Sequence, residues 1–127
     1  MKATITSLIF LLLSLTVSSQ TYKYIGIEEG LSNQKIYKIQ KDARGYMWFL
    51  THVGIDQYNG KEIKHYKLRE GNRELDPLLN INWTFLDKTG TLLVTGKQGR
   101  IFRYDSGHDR FVQIYNMYNY WNKDYHA

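Results

Sequence analysis

Four histidines are the first residues to question for chemistry: His52, His65, His108 and His126. None stands in a His-x-x-x-His pair, the spacing that puts two metal ligands on one helix face. His52 and His65 fall on different expected strands, so all four read as lone surface histidines and no metal site is expected. Ser32 and Ser106 lack the glycine-flanked strand-to-helix turn that exposes a nucleophilic serine. Gly96-Lys97-Gln98-Gly99 has the residue types of a phosphate cradle. It joins two strands, however, and a phosphate loop must pass from a strand into a helix. Glu28-Glu29 and the pair Asp105/Asp109 sit in loops and read as solvated carboxylates. Asn82-Trp83-Thr84 fits the glycosylation sequon, but it falls in an expected strand. The chain has no cysteine, which excludes disulfides, thiolate metal sites and a cysteine nucleophile. No phosphoacceptor helix and no nucleotide-binding motif occurs. The expectation is a chain that is not an enzyme, with no catalytic residue, no metal and no cofactor.

Composition bounds what scaffold could position such residues. The 127 residues make one domain at most. Hydrophobic residues are 43% and charged residues 23%, ordinary for a globular protein. Aromatics reach 15%, with 11 Tyr and 3 Trp, which argues for strands with large packed faces and against disorder. The formal net charge is +5, but the basic residues are scattered and form no block. No nucleic-acid partner is expected.

The N-terminus carries an address. Lys2 precedes Ile5–Val17, a mostly apolar run broken only by Thr and Ser, and Val17-Ser18-Ser19 offers compact residues for a signal peptidase. The run is shorter than the roughly 18–20 apolar residues of a spanning helix. Residues 1–20 therefore read as a signal-peptide helix rather than a membrane span. The expected location is the periplasm, or secretion.

Beyond it, one unit occurs twice, at a period of about 45 residues, which is that of a propeller blade. Asp42 and Gly45 match Asp87 and Gly90; Met47, Trp48 and Phe49 match Leu92, Leu93 and Val94; Gly54 matches Gly99. After small insertions Tyr58 matches Tyr104, Gly60 matches Gly107 and Tyr66 matches Tyr115. Each unit reads as four short strands. In the first they are Lys35–Lys41, Tyr46–Thr51, Ile55–Tyr58 and Lys61–Tyr66, with Asp42–Gly45 as a turn and Asn59-Gly60 as a hairpin signal. In the second they are Asn80–Leu86, Thr91–Thr95, Arg100–Tyr104 and Phe111–Tyr115. Ile81, Trp83 and Phe85 share one face of the first of these. The expected organisation is a lead-in over 21–34, a first blade over 35–66, a polar connector over 67–79, a second blade over 80–115 and a tail over 116–127. That tail is rich in Tyr and Trp, which suit either the start of a third blade or a sugar-stacking surface. The fold class is all-β: a partial β-propeller of about two four-stranded antiparallel blades.

Gly30-Leu31-Ser32-Asn33-Gln34-Lys35-Ile36, then Ile39 through Phe49, then Gly54-Ile55-Asp56-Gln57-Tyr58-Asn59-Gly60, resembles the two-component regulator propeller repeat. The resemblance covers about 22–115. Leu50 stands where the family has a small residue, Ile55 where it has Leu, and Gln57 where it has Arg. Leu93 stands where the family has Trp, so the second unit is the weaker copy. The resemblance implies the N-terminal part of a periplasmic, ligand-sensing propeller of a bacterial sensor histidine kinase. It implies the remaining blades of a parent propeller as partners, a carbohydrate ligand (an oligosaccharide) and a receptor homodimer. Ligand contacts in that family come from variable loops, so no ligand-binding residue carries over. Asp42, Gly45, Trp48, Gly54, Tyr58, Gly60, Asp87, Gly90, Gly99 and Tyr104 are expected to be structural, as turn and packing positions. Two other readings stay open: a stand-alone secreted binding or adhesion module, and part of a propeller enzyme such as a polysaccharide lyase.

Repeat units bury their faces on one another, and two blades cannot close a ring of the usual four to eight. The outward faces are expected to expose Trp48, Phe49, Leu93 and Val94 and to make the isolated chain prone to aggregation.

Overall fold

The computed structural model describes residues 1–2, 19–77 and 81–119. The signal-peptide reading rests largely on residues 3–18, which lie outside the described residues, as do Asn80, most of the aromatic tail and His126. No helix among the described residues is long and apolar enough to cross a membrane.

Ten strands follow in order among the described residues. Strands β1 (Ile36–Lys41), β2 (Met47–Thr51), β3 (Gly54–Tyr58) and β4 (Ile63–Tyr66) form one antiparallel sheet in chain order. Strands β5 (Arg69–Glu70) and β6 (Arg73–Glu74) make a small hairpin. Strands β7 (Trp83–Leu86), β8 (Leu92–Thr95), β9 (Arg100–Asp105) and β10 (Arg110–Asn116) form a second sheet, again in chain order. Two up-and-down four-stranded sheets, each with its first strand at one edge, are two blades of a partial β-propeller.

The registers define the faces. In the first blade Gln40, Trp48, Gln57 and Lys64 stand in one row across the sheet, and Lys38, Leu50, Ile55 and Tyr66 in a second row on the same side. In the second blade Thr84, Val94, Phe102 and Gln113 make one row, and Tyr104 with Phe111 extends the same side. These two sides meet. Trp48, Leu50, Ile55 and Tyr66 join Leu92, Val94, Phe102, Tyr104 and Phe111 in one buried cluster.

The remaining two faces fare differently. On the first blade, the row of Ile39, Phe49, Asp56 and His65 faces away from the second blade. The lead-in lies on this side: Ser32 bonds Thr51 and Asp56, Lys23 sits over Tyr58, and Gly30 approaches Ile63. On the second blade, the row of Phe85, Leu93, Arg103 and Val112 is flanked by Trp83 and Tyr115. Here Trp83, Phe85, Val112, Ile114 and Tyr115 are exposed.

Several expectations are corrected. Trp48, Phe49, Leu93 and Val94 are all buried, because each blade turns its richest apolar positions onto its sister or folds neighbours over them. In β7 it is Thr84 that packs inward, while Trp83 and Phe85 are exposed. The connector is not merely polar: Leu68 and Leu75 flank the β5–β6 hairpin, are buried in the shared core, and close it with Leu75 N–H on Leu68 O at 2.9 Å. The turn at Asn59-Gly60 is a four-residue loop rather than a two-residue hairpin, and β4 begins only at Ile63. Asn59 Oδ1 explains this by accepting the amides of Lys61 (2.9 Å) and Glu62 (3.0 Å), which takes both out of the ladder. Gly107 does not adopt a left-handed conformation as Gly60 does. In the β9–β10 loop that conformation falls to Asp109, with φ 49°. Asn116 ends β10, so the strand of the second blade runs into the expected tail.

The open side of the second blade generates a prediction. A Val112→Lys, Ile114→Lys double variant should lower self-association of the purified chain, read by light scattering, without changing its far-UV circular dichroism. Unchanged or increased scattering would mean that association uses another surface.

Candidate functional site: the junction between the blades

The junction is built from two copies of one turn. In the first blade Asp42 Oδ1 accepts the amides of Arg44 (2.9 Å) and Tyr46 (3.0 Å), and Gly45 N–H closes on Asp42 O at 3.0 Å. In the second, Asp87 Oδ1 accepts those of Thr89 (2.8 Å) and Thr91 (3.0 Å), and Gly90 N–H closes on Asp87 O at 2.9 Å. The two turns touch: Ala43 N–H donates to Gly90 O at 3.1 Å. A Cβ at Gly90 would stand 2.4 Å from Ala43 Cβ, and φ there is +74°. Contact and conformation both require glycine at that point.

The free oxygen of each aspartate shows how the copies diverged. Asp42 Oδ2 accepts the Trp48 indole N–H at 2.9 Å, so the carboxylate is buried and satisfied. Leu93 occupies the matching position in the second blade and has no donor. There Arg103 Nε donates to Asp87 Oδ2 at 2.9 Å. Arg103 matches Gln57, so the arginine missing from the first blade is present where the tryptophan is missing from the second. Bonds from Thr89 hold the partly buried Asp87 carboxyl below the usual carboxylate range, with Thr91 and Arg103 adding to the effect.

Around Trp48 lie three more rings. Its centroid is 4.8 Å from that of Tyr104, 5.5 Å from Tyr66 and 5.7 Å from Phe111. Tyr66 and Tyr104 are 5.6 Å apart and edge-on. These separations and tilts are those that aromatic quadrupoles favour.

A polar clasp closes the outer end. Asp109 Oδ1 accepts Tyr66 Oη–H at 2.5 Å and Tyr104 Oη–H at 2.6 Å, while Oδ2 takes the Lys64 ammonium at 3.0 Å. Tyr66 and Lys64 belong to the first blade; Tyr104 and Asp109 to the second. The Tyr104 hydroxyl, then Tyr66 and Lys64, pull the Asp109 carboxyl down to about 2. Burial, reinforced by the carboxylate, pushes both phenols up. Tyr66 has one proton and gives it to Asp109. Gln57 Oε1, 3.3 Å from Tyr66 Oη, is a second and longer acceptor for the same hydroxyl.

The other expected structural positions lie in turns and ladders away from this clasp. Gly54 opens β3 just after the β2–β3 turn, Gly99 lies in the β8–β9 turn and Gly60 in the β3–β4 loop. Tyr58 matches Tyr104 in sequence but not in setting: its hydroxyl donates to Gly60 O at 2.7 Å and it lies beneath Lys23. Asp109 corrects an expectation, since it is no idle loop carboxylate. The only sequence signal for it was an Asp at the last place before a strand, where a left-handed residue is tolerated. His65 also has a partner, its Nδ1 lying 2.8 Å from the buried Asp56. Among the described residues no group of three or more metal-ligating side chains converges.

Two stacked antiparallel blades, joined turn to turn and ring to ring, define a partial β-propeller with a structural junction. A protein-family model described as Two component regulator propeller matches residues 30–52, from Gly30 through β1, the Asp42 turn and β2. Residues 30–52 are thus a two-component regulator propeller repeat, which makes a propeller-type signalling domain the coarse assignment. A search of the curated proteins returned no match.

Two predictions follow from the junction. Trp48→Ala should cost about 3–5 kcal/mol in denaturant unfolding, and Trp48→Phe less, although it still strands Asp42 Oδ2. For Asp109, a folded-state pKa near 2 lies below the unfolded value of about 4. Its stabilisation is present above the unfolded value and is lost as pH falls through the folded one. Melting temperature should therefore drop more steeply between pH 5 and pH 2 in the native chain than in Asp109→Asn. Parallel curves would remove the clasp from the stability balance.

Proposed function

We propose that this chain is the N-terminal part of a periplasmic, ligand-sensing β-propeller of a two-component sensor. Its ligand is a carbohydrate and it has no catalytic output of its own. The observation that carries this reading is the repeat over 30–52, set in a blade that stacks on a second of the same plan. The open side of the second blade supports further blades. It presents the row equivalent to the one that carries Trp48, and in the first blade that row is covered by the next sheet. The remaining blades of the parent then complete the ring, and ligand binding biases a receptor homodimer between two states. The leader over residues 1–20 supports export.

Export gives the direct test. Residues 1–30 fused to an alkaline phosphatase that is active only outside the cytoplasm should yield activity in a bacterial host. A fusion lacking Ile5–Val17 should yield none. Equal and low activity from both would sink the periplasmic reading.

A further inference from the structure

We propose that Asn59-Gly60 is a self-modifying site: the native turn converts Asn59 to aspartate and isoaspartate, and the second product alters the chain link into β4. This chemistry is independent of the sensor reading and requires only a folded first blade.

The reaction needs a nucleophile, room and an electrophile. Asn59 is the only asparagine in the chain followed by glycine. The nucleophile is the Gly60 backbone nitrogen. Among the described residues nothing accepts its N–H, so no bond has to break before it reacts. A Cβ at Gly60 would meet nothing within 4 Å, and both residues are exposed, so water and hydroxide reach them. The electrophile is Asn59 Cγ. Its carbonyl oxygen, Oδ1, already accepts the amides of Lys61 at 2.9 Å and Glu62 at 3.0 Å. Attack at Cγ puts negative charge on that oxygen, and two fixed backbone donors at such distances stabilise it as an oxyanion hole does. Asn59 N–H on Glu62 O, at 3.3 Å, holds the loop closed around them.

The step balances with water as the only co-reactant. Gly60 N loses its proton to hydroxide and bonds to Asn59 Cγ. The Cγ–Nδ2 bond breaks, and the departing nitrogen takes a proton from water and leaves as ammonia, which restores the hydroxide. A succinimide ring remains, and water opens it at either carbonyl. One opening gives aspartate with the ordinary main chain. The other gives isoaspartate, whose main chain runs through the former side chain and is one methylene longer.

The two products differ in what they do to the fold. Aspartate suits the turn, since Asp42 and Asp87 each hold two loop amides on Oδ1. Isoaspartate displaces the acceptor and lengthens the loop just before Ile63, where β4 begins. β4 carries Lys64 and Tyr66, the first blade's contributions to the Asp109 clasp. The chain also supplies controls. Asn33 and Asn116 each accept one turn amide, from Lys35 at 2.7 Å and Tyr118 at 3.1 Å. They precede Gln34 and Met117, whose side chains crowd the attacking nitrogen as glycine does not.

The test incubates the purified full chain at pH 8 and maps aspartyl and isoaspartyl peptides over several weeks by mass spectrometry. Conversion at Asn59 should outrun that at Asn33 and Asn116 by about tenfold, a barrier difference of about 1.4 kcal/mol, and should quicken as pH rises. Gly60→Ala should slow it by a similar factor. A side chain at φ +99° is strained, so a second variant is needed. Asn59→Ser keeps a turn acceptor and should abolish conversion in this loop at unchanged circular dichroism. The isoaspartyl form, separated by ion exchange, should melt below the fresh chain, while Asn59→Asp should melt with it. No conversion, equal conversion at the three asparagines, or conversion that appears only in urea would overturn the proposal. Equal melting of the isoaspartyl and fresh chains would overturn its link to β4.

Discussion

The burial of Trp48 is the constraint on which the rest of the structure depends. Its indole N–H satisfies the second oxygen of Asp42, so the first blade's turn is closed from within the sheet. Its rings meet Tyr66, Tyr104 and Phe111, so the same side chain fills the space between the blades. The local turn and the long-range packing thus share one residue, and neither can adjust without the other. An apolar residue of similar size would fill the space but leave a buried carboxylate oxygen without a donor. That costs about 1–3 kcal/mol or more for a charged group.

Magnitudes rank what holds the blades together. Each large buried side chain in the shared cluster contributes roughly 1.5–3 kcal/mol, and the cluster contains eleven buried hydrophobic residues. The Lys64–Asp109 pair is half exposed on both sides, and such pairs contribute about 0–1 kcal/mol. The two phenol bonds to Asp109 are stronger, being charge-assisted and short. The apolar cluster supplies the adhesion. Asp109 supplies alignment, because only one relative placement of the sheets lets hydroxyls from both reach a single oxygen.

The legible part of this fold was local. The Asp42 and Asp87 turns could be read because every bond that defines them lies within four residues, and their recurrence marked the blades. Four strands per blade were visible for the same reason: apolar runs between turn residues. What escaped depends on distant partners. Asp109 gains its meaning from Tyr66 and Lys64, more than forty positions away by chain number and adjacent only once the sheets stack. Leu68 and Leu75 were hidden in a polar stretch, since two apolar residues around a two-residue-strand hairpin have no period to detect. Thr84 looked like the polar side of an alternating strand. It packs inward because the register places it opposite Val94, and its carbonyl is held by Lys38. Which face a strand buries is a property of its partner, and alternation alone leaves that choice undecided.

The two outer faces of the pair show that the repeat has a direction. Matching positions on the blades are Trp48 and Leu93, Gln57 and Arg103, Gln40 and Phe85, Lys64 and Val112. In the first blade these lie on the side that meets the second; in the second they lie on the open side, where Phe85 and Val112 are exposed and Leu93 is buried among its neighbours. The opposite side of the first blade is not left open in this way. Ser32 donates its amide and its hydroxyl to the buried Asp56, each at 2.8 Å, and His65 adds a third contact to the same carboxylate. A carboxylate this deep is costly unless its lone pairs are met, so the lead-in cannot leave without uncovering a charge. One face is thereby occupied through a polar lock that the chain itself provides. The other ends in apolar side chains and an arginine already committed to its own turn. The pair is thus polar: its open side is the Phe85, Leu93, Arg103 and Val112 face of the second blade, and its closed side is the face of the first where the lead-in meets a single buried aspartate.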